Sequence, residues 1–321
     1  MDLVPLQKPI SSLVVPALIA GAGERAAWRF VEFFTVNIRN KNTRGAYTRA
    51  ASSFLYWCEA KGILRLENVQ PVHVAAYIEE LQGRMSAPTV KQHLACLRML
   101  FDWLVTGQVI PTNPAHSVRG PRHSVSKGAT AVISSEEARE LLDSMDASTV
   151  VGLRDRALVA VMAFTFARVS AVVGLKREDY YPQKKRWWLR LSEKNGKVNE
   201  MPCHHKLEEY LDAYIEVAGI DGERKAPLFR AAIGRTGKLS DRPLSRTDVW
   251  YMIQRRAGDA SIETAMGCHT FRATGITDYL TNGGRIEVAQ KMAGHANAKT
   301  TGLYDRRNDD ISLSEIERIG I

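Results

Sequence analysis

Apolar residues recur at helical spacing through the first third of the chain. Ala46, Ala50, Ser53, Phe54, Trp57 and Cys58 form one series, and Val90, Leu94, Leu97, Phe101 and Leu104 form another. Recurrence at steps of three and four residues turns one face of a helix toward a core. Turn signals at Lys61-Gly62, Pro71, Pro88 and Gly107 divide residues 24–107 into about four helices, which predicts a helical bundle. Residues 1–23, with Pro5, Pro9, Pro16, Gly21 and Gly23, read as a tail or loosely packed lead-in. Residues 108–130 hold Pro111, Pro114, Gly120, Pro121 and Gly128 with no sustained period, and read as a linker.

A second domain, residues 131–321, follows. Ser134-Ser135-Glu136-Glu137 supplies an N-cap and an acidic first turn for its first helix. The rest is mainly helical, with one expected β element: Arg186–Leu191 and Lys197–Met201 flank Asn195-Gly196, the dipeptide that favours a two-residue type I′ hairpin turn. The fold class is therefore mainly α, a helical bundle followed by an α+β domain with a small hairpin. A length of 321 residues with 45% apolar positions allows two domains that need neither metal nor disulfide for stability.

Charge separates the two halves. The chain carries 44 Lys and Arg against 35 Asp and Glu; residues 1–127 hold 15 basic and 8 acidic residues, so most of the +9 excess lies in front. That half is suited to a polyanion. Cys58, Cys96, Cys203 and Cys268 are scattered, without a CxxC pair, and read as reduced thiols of a cytoplasmic protein. The longest apolar stretch, Ala157–Ala167 interrupted by Thr165, is too short for a membrane span, which needs ~20 residues. No cluster of Asp, Glu and His has metal-ligand spacing, so no metal or other cofactor is expected.

The candidate chemistry lies late in the chain. His269-Thr270-Phe271-Arg272 falls in a helical stretch, and its spacing puts imidazole and guanidinium on one face. Gly294-His295 ends a helix, and Tyr304 follows nine residues after His295. Each piece alone has an ordinary reading: a helix end, a surface pair, a packed ring. Their order carries the information, together with Arg168 in Phe166-Ala167-Arg168-Val169-Ser170-Ala171-Val172-Val173-Gly174-Leu175 and Lys194 ahead of the hairpin turn.

In that order the sequence resembles the tyrosine recombinase, or phage integrase, family, whose constellation is Arg, Lys, His-x-x-Arg, His and Tyr. Residues Ala87–Pro114 are similar to the last helix and exit of the family's core-binding domain. Three departures are visible: Ala171 stands where the first motif usually has Glu, Phe271 replaces Leu, and Ala273 replaces a frequent His. The missing Glu leaves open what holds Arg168, because a buried guanidinium needs a compensating partner.

The resemblance implies a core-binding, SAM-like bundle and a catalytic domain that clamp duplex DNA from two sides. It implies a site-specific recombinase forming a 3′-phosphotyrosyl intermediate, with strand exchange through a Holliday junction and without metal. Tyr304 is then the nucleophile, Arg168 and Arg272 neutralise the phosphate, His269 is the base and His295 binds the phosphate or steers the ring. Lys194 is the general acid, with Lys197 as competitor.

The implied partners are double-stranded DNA with an inverted-repeat core site, three further copies of the chain in a tetramer, and possible accessory proteins. The tail, residues 305–321, would pass between protomers through Ile311, Leu313, Ile316 and Ile319. Candidate DNA contacts are Lys41, Thr43, Arg44, Arg49, Lys91 and Arg98 in the bundle, and Arg246 and Arg255 on a helix capped by Ser245. No domain of the arm-binding kind is expected ahead of the bundle, as in the short Xer- or Cre-like members. The alternatives are relaxation of DNA in the manner of a type IB topoisomerase, and a non-catalytic DNA-binding protein derived from a recombinase.

Overall fold

The computed structural model describes residues 15–123, 128, 130–193, 196–295, 297–305 and 317. The chain divides into two compact units at Ser124/Val125.

In the first unit, α1 (Ala17–Ala20) leads into α2 (Glu24–Glu32), which continues through a π turn at Phe33–Asn37. α3 (Lys41–Ala60) begins where the Asn40 side chain accepts from the backbone of Asn42 and Thr43. α4 (Pro71–Gln82) starts on a proline that needs no N–H there, and α5 (Ala87–Thr106) closes the bundle. Phe54 of α3 sits at the centre, its ring 5.1 Å from that of Tyr77 and 6.0 Å from that of Phe101. The α5 series Val90, Leu94, Leu97, Phe101 and Leu104 is buried throughout, whereas Ser53 of the α3 series is exposed and Leu55 is buried in its place.

Two segment expectations are corrected here. Leu18 and Ile19 of α1 are buried in the bundle core, so the part of the lead-in from residue 15 onward is packed rather than loose. Ile110, Ala115 and Val118 belong to the same core, so the segment expected as linker is docked through residue 118. The Arg98 guanidinium donates to the carbonyls of Ala115 and Val118, and Asn113 donates to the Arg98 carbonyl. Isolated apolar residues among prolines show no period, yet each one contributes burial when its backbone polar groups find partners.

In the second unit, Ser134 and Glu137 form the reciprocal cap of α6 (Ser135–Asp143). α7 (Val150–Thr165) runs through the core with Ala157, Leu158, Ala160, Val161 and Met162 all buried. The short α8 (Val169–Val173) follows.

A three-stranded antiparallel sheet comes next, in the order β1 (Tyr180–Gln183), β2 (Arg186–Ser192), β3 (Val198–Pro202). The hairpin differs from expectation. Ser192 pairs with Val198, and the Glu193 N–H donates to the Lys197 carbonyl at 2.6 Å, so the connection is the three residues 194–196 instead of a two-residue turn. Gly196, with φ +74°, takes the left-handed position that such loops require. β1 was not expected, and neither was the ribbon of β4 (Arg230–Ala232) and β5 (Leu239–Pro243); three to five residues are too few to show a period of two.

The remaining helices are α9 (His205–Ala218), α10 (Arg246–Asp259), α11 (Cys268–Thr281), α12 (Ile286–Ala293) and α13 (Ala298–Gly302). α10 is tied to α7 by Asp155, whose carboxylate is wholly buried and accepts from Arg154 at 2.5 and 3.0 Å and from Arg256 at 2.8 and 3.0 Å.

α11 approaches α7 through Gly275. A Cβ added there would stand 2.1 Å from the Ala163 carbonyl oxygen and 2.8 Å from the Phe166 ring. Alanine favours an isolated helix over glycine by about 1 kcal/mol, but this collision is with backbone. Gly275→Ala is therefore expected to lower stability by about 2 kcal/mol or more, measured as a lower urea midpoint; an unchanged midpoint would show that the two helices do not need this approach.

Candidate active site

Arg168, His269, Arg272, His295 and Tyr304 converge where α7, α8, α11, α12 and α13 end or begin. α7 stops at Phe166, which adopts φ +56°, unusual for a side chain with a Cβ. That reversal sets Arg168 as the residue that opens α8. The Arg168 side chain is 29% exposed, and its Nη1 donates to Glu193 Oε2 at 2.5 Å.

α11 begins after Gly267, whose N–H donates to the Thr270 hydroxyl at 3.0 Å. His269, exposed, lies in its first turn, and Arg272 follows one turn later at 1% exposure. The Arg272 guanidinium donates to the carbonyls of Phe166 and Ala293, the latter at 2.5 Å. Both oxygens belong to helix C-termini, where backbone dipoles favour a cation. Burial beside Arg168 depresses the Arg272 pKa to about 10, so it keeps its charge at neutral pH.

α12 ends on Gly294, at φ +60°, and His295 comes next. Its N–H donates to the Gln290 carbonyl, and Gln290 Nε2 donates back to the His295 carbonyl. The ring is 7% exposed, with Nδ1 2.9 Å from the hydroxyl of the buried Thr301 in α13.

Tyr304 follows α13. Its N–H donates to the Thr301 carbonyl and its own carbonyl accepts from the Thr277 hydroxyl of α11 at 2.8 Å. The phenol ring lies nearly parallel to His295, with centroids 5.8 Å apart and planes 8° apart, and the side chain interacts with the Arg272 guanidinium.

Two guanidinium groups dominate the local electrostatics. Burial pushes the His295 pKa down to about 4, and the charges of Arg272 and Arg168 add to it. The His269 pKa is lowered by burial first and then by the same two arginines. Both imidazoles are thus neutral near pH 7. A neutral His295 whose Nδ1 accepts from Thr301 carries its proton on Nε2 and can donate from there.

Sequence reasoning missed Glu193 and Thr301. Glu193 had a signal: Leu189 and Leu191 are buried at alternate positions of β2, and residue 193 continues that face. Thr301 sits in a short helix with no period to read. Lys194 and the tail beyond Asp305, Glu317 excepted, lie outside the described residues.

The expected DNA contacts divide into two groups. Lys41, Thr43, Arg49, Lys91 and Arg246 are exposed. Arg44 donates from Nε and Nη2 to the Ile38 carbonyl, Arg98 pins residues 115–118, and Arg255 lies 3.6 Å from the buried Asp155. These three cations are at least partly committed inside their own unit, which helical position alone did not reveal.

The decisive likeness covers this part of the chain: residues 131–310 match the model of the phage integrase family, and residues 28–110 match its N-terminal SAM-like domain. The chain belongs to the phage integrase family. It is a tyrosine-type site-specific recombinase. Among relatives, it is 26% identical to tyrosine recombinase XerD of Chlorobaculum tepidum over 82% of this chain and 85% of that one. It is also 26% identical to XerD of Corynebacterium glutamicum, over 86% and 91%. Its fold is similar to that of XerH recombinase bound to difH substrate in a post-cleavage complex, with TM-score 0.67, 19% identity and coverage of 86% and 79%. A lambda integrase dimer bound to a core site gives TM-score 0.68, 17% identity and coverage of 89% and 97%.

The burial of a neutral His295 carries a consequence for stability. Between about pH 6.5 and 4 the unfolded chain binds a proton at this ring that the folded chain excludes, so stability falls as pH falls, by about 3 kcal/mol across the window. In His295→Gln the loss of stability between pH 7 and pH 4.5, read from urea unfolding, should be smaller by roughly 2 kcal/mol than in the parent. Equal losses in both proteins would contradict the assignment.

Proposed function

We propose that this recombinase breaks and rejoins duplex DNA through a 3′-phosphotyrosyl intermediate on Tyr304. The observation that carries this reading is the placement of the Tyr304 ring over neutral His295 and against the buried Arg272 cation, within one chain. The phenol oxygen attacks phosphorus, and the bond to the 5′ oxygen breaks. Arg272 and Arg168 neutralise the charge that grows on the non-bridging oxygens, an effect strongest where water is excluded. A phenol titrates near ~10 in water, so its proton needs an acceptor, and His269, held neutral, is that base. His295 donates to the phosphate from Nε2. The departing 5′ oxygen takes its proton from Lys194. The phosphotyrosyl ester retains the energy of the broken bond, so resealing needs no ATP.

The free 5′-hydroxyl then attacks the ester on a partner duplex, which yields a Holliday junction in a tetramer of this chain with the tail passed between protomers. A lambda integrase tetramer bound to a Holliday junction, similar in fold at TM-score 0.67, supports this arrangement. The exposed Lys41, Arg49, Lys91 and Arg246 supply phosphate contacts, and the expected core site is an inverted repeat. No described helix is long and apolar enough to cross a membrane; a cytoplasmic location goes with the substrate.

Two experiments test the reading. Incubation with plasmid DNA flanking the gene should trap a covalent protein–DNA adduct that persists in EDTA and whose position maps the cleavage site. The adduct should disappear in Tyr304→Phe, and an adduct formed by that variant would remove Tyr304 from the nucleophile's role. On the mapped site, Lys194→Ala should cleave about 10²-fold or more slowly and recover when the 5′ bridging oxygen is replaced by sulfur, a leaving group that needs no proton. Rescue seen instead with Lys197→Ala moves the general acid to that residue.

A further inference from the structure

The first arginine motif of this chain has Ala171 at the position usually held by Glu. Ala171 is buried and offers Arg168 no carboxylate. The hairpin supplies one instead. Glu193 lies just past β2, on the face that carries Leu189 and Leu191, and its side chain is only 4% exposed. Its Oε2 accepts from Arg168 Nη1 at 2.5 Å. Its stem passes beside the Gly294 turn that presents His295, with Cγ 4.0 Å from where a Cβ on that glycine would be.

A buried carboxylate is costly unless it is paired, and next to an incoming phosphate it adds repulsion. A fold that nevertheless buries Glu193 here obtains from it a fixed orientation for Arg168. Among the described residues one hydrogen bond occupies Nη1 and leaves the other N–H groups of the guanidinium for a ligand. Register makes the arrangement possible. With Ser192 opposite Val198, residue 193 faces inward, whereas a slip by one residue would reverse every side chain on the strand.

We infer that Glu193 is the positioning residue for Arg168, performing from the β2–β3 hairpin the task that the motif assigns to a carboxylate at position 171. Because the Glu193 N–H also donates to the Lys197 carbonyl, the same ion pair ties the β2–β3 hairpin to the phosphate-binding arginine. The inference rests on the reading that Arg168 grips the scissile phosphate.

The test uses the full chain and nicked duplexes of the mapped cleavage site, in single-turnover cleavage. Glu193→Gln keeps the shape and removes the charge. It should cleave about 10²-fold more slowly, as a misplaced catalytic group does, while binding the duplex within about twofold of the parent, since its surface cations are untouched. Two further readouts separate positioning from a general structural defect. Ala171→Glu added to Glu193→Gln should restore most of the lost rate. A methylphosphonate at the scissile position, which lacks the charge Arg168 neutralises, should shrink the gap between Glu193→Gln and parent at least tenfold. Parent-like cleavage by Glu193→Gln, or an equal defect on phosphate and methylphosphonate, overturns the inference. If the buried Ala171→Glu change prevents folding, the methylphosphonate comparison decides by itself. Arg168→Ala separates the two levels: parent-like cleavage by that variant refutes the phosphate-gripping role itself, whereas a slow Arg168→Ala beside a fast Glu193→Gln refutes only the positioning.

Discussion

One buried guanidinium holds the candidate site together. Arg272 reaches from α11 to the terminal carbonyls of two other helices, at Phe166 and Ala293, and so fixes the places where the chain turns toward Arg168 on one side and His295 on the other. Those carbonyls are orphans of their helices, and the cation meets them where the helix dipoles are negative. Leaving such a charge unpaired in the interior would cost several kcal/mol. The same bonds that satisfy Arg272 therefore define the relative positions of the residues around it. Gly275 on the same helix permits the close approach that brings Arg272 within reach of Phe166.

Burial and the charge concentrated there together set the protonation of its neighbours. Loss of solvent disfavours a third cation, and the charges of Arg272 and Arg168 add to the effect, so His269 and His295 stay neutral. A neutral imidazole can accept a proton or donate one from a single nitrogen, which suits the two roles proposed for them. Glu193 is the counterweight. Its carboxylate pairs with Arg168 and also favours the charged form of Arg272, so the two cations remain tolerable beside one another. The departure at Ala171 thus has a structural complement elsewhere in the chain, at a position far away in sequence.

The surface cations illustrate a different limit. Arg44, Arg98 and Arg255 lie on helices where outward-facing basic residues are expected, yet each has a partner within its own unit: a loop carbonyl, the docked segment after α5, or the buried Asp155. Residues 108–118 were unreadable as packed structure for the related reason that prolines and single apolar residues carry no period. Backbone carbonyls in irregular segments need donors as much as helix ends do, and long arginine side chains are well suited to reach them.

Local pattern determined much of this protein. The long helices of both units, the caps at Ser134 and Ser245, the helix end at Gly294 and the identity and order of Arg168, His269, Arg272, His295 and Tyr304 are all written in short stretches of chain, because periodicity, caps and motifs involve residues within a few positions of one another. The tertiary structure alone decided the hairpin register, the burial of Glu193 against Arg168, the carbonyl partners of Arg272 and the stacking of Tyr304 on His295. These join residues separated by up to about a hundred positions, or depend on a one-residue choice of pairing, and only the closing of the core fixes either.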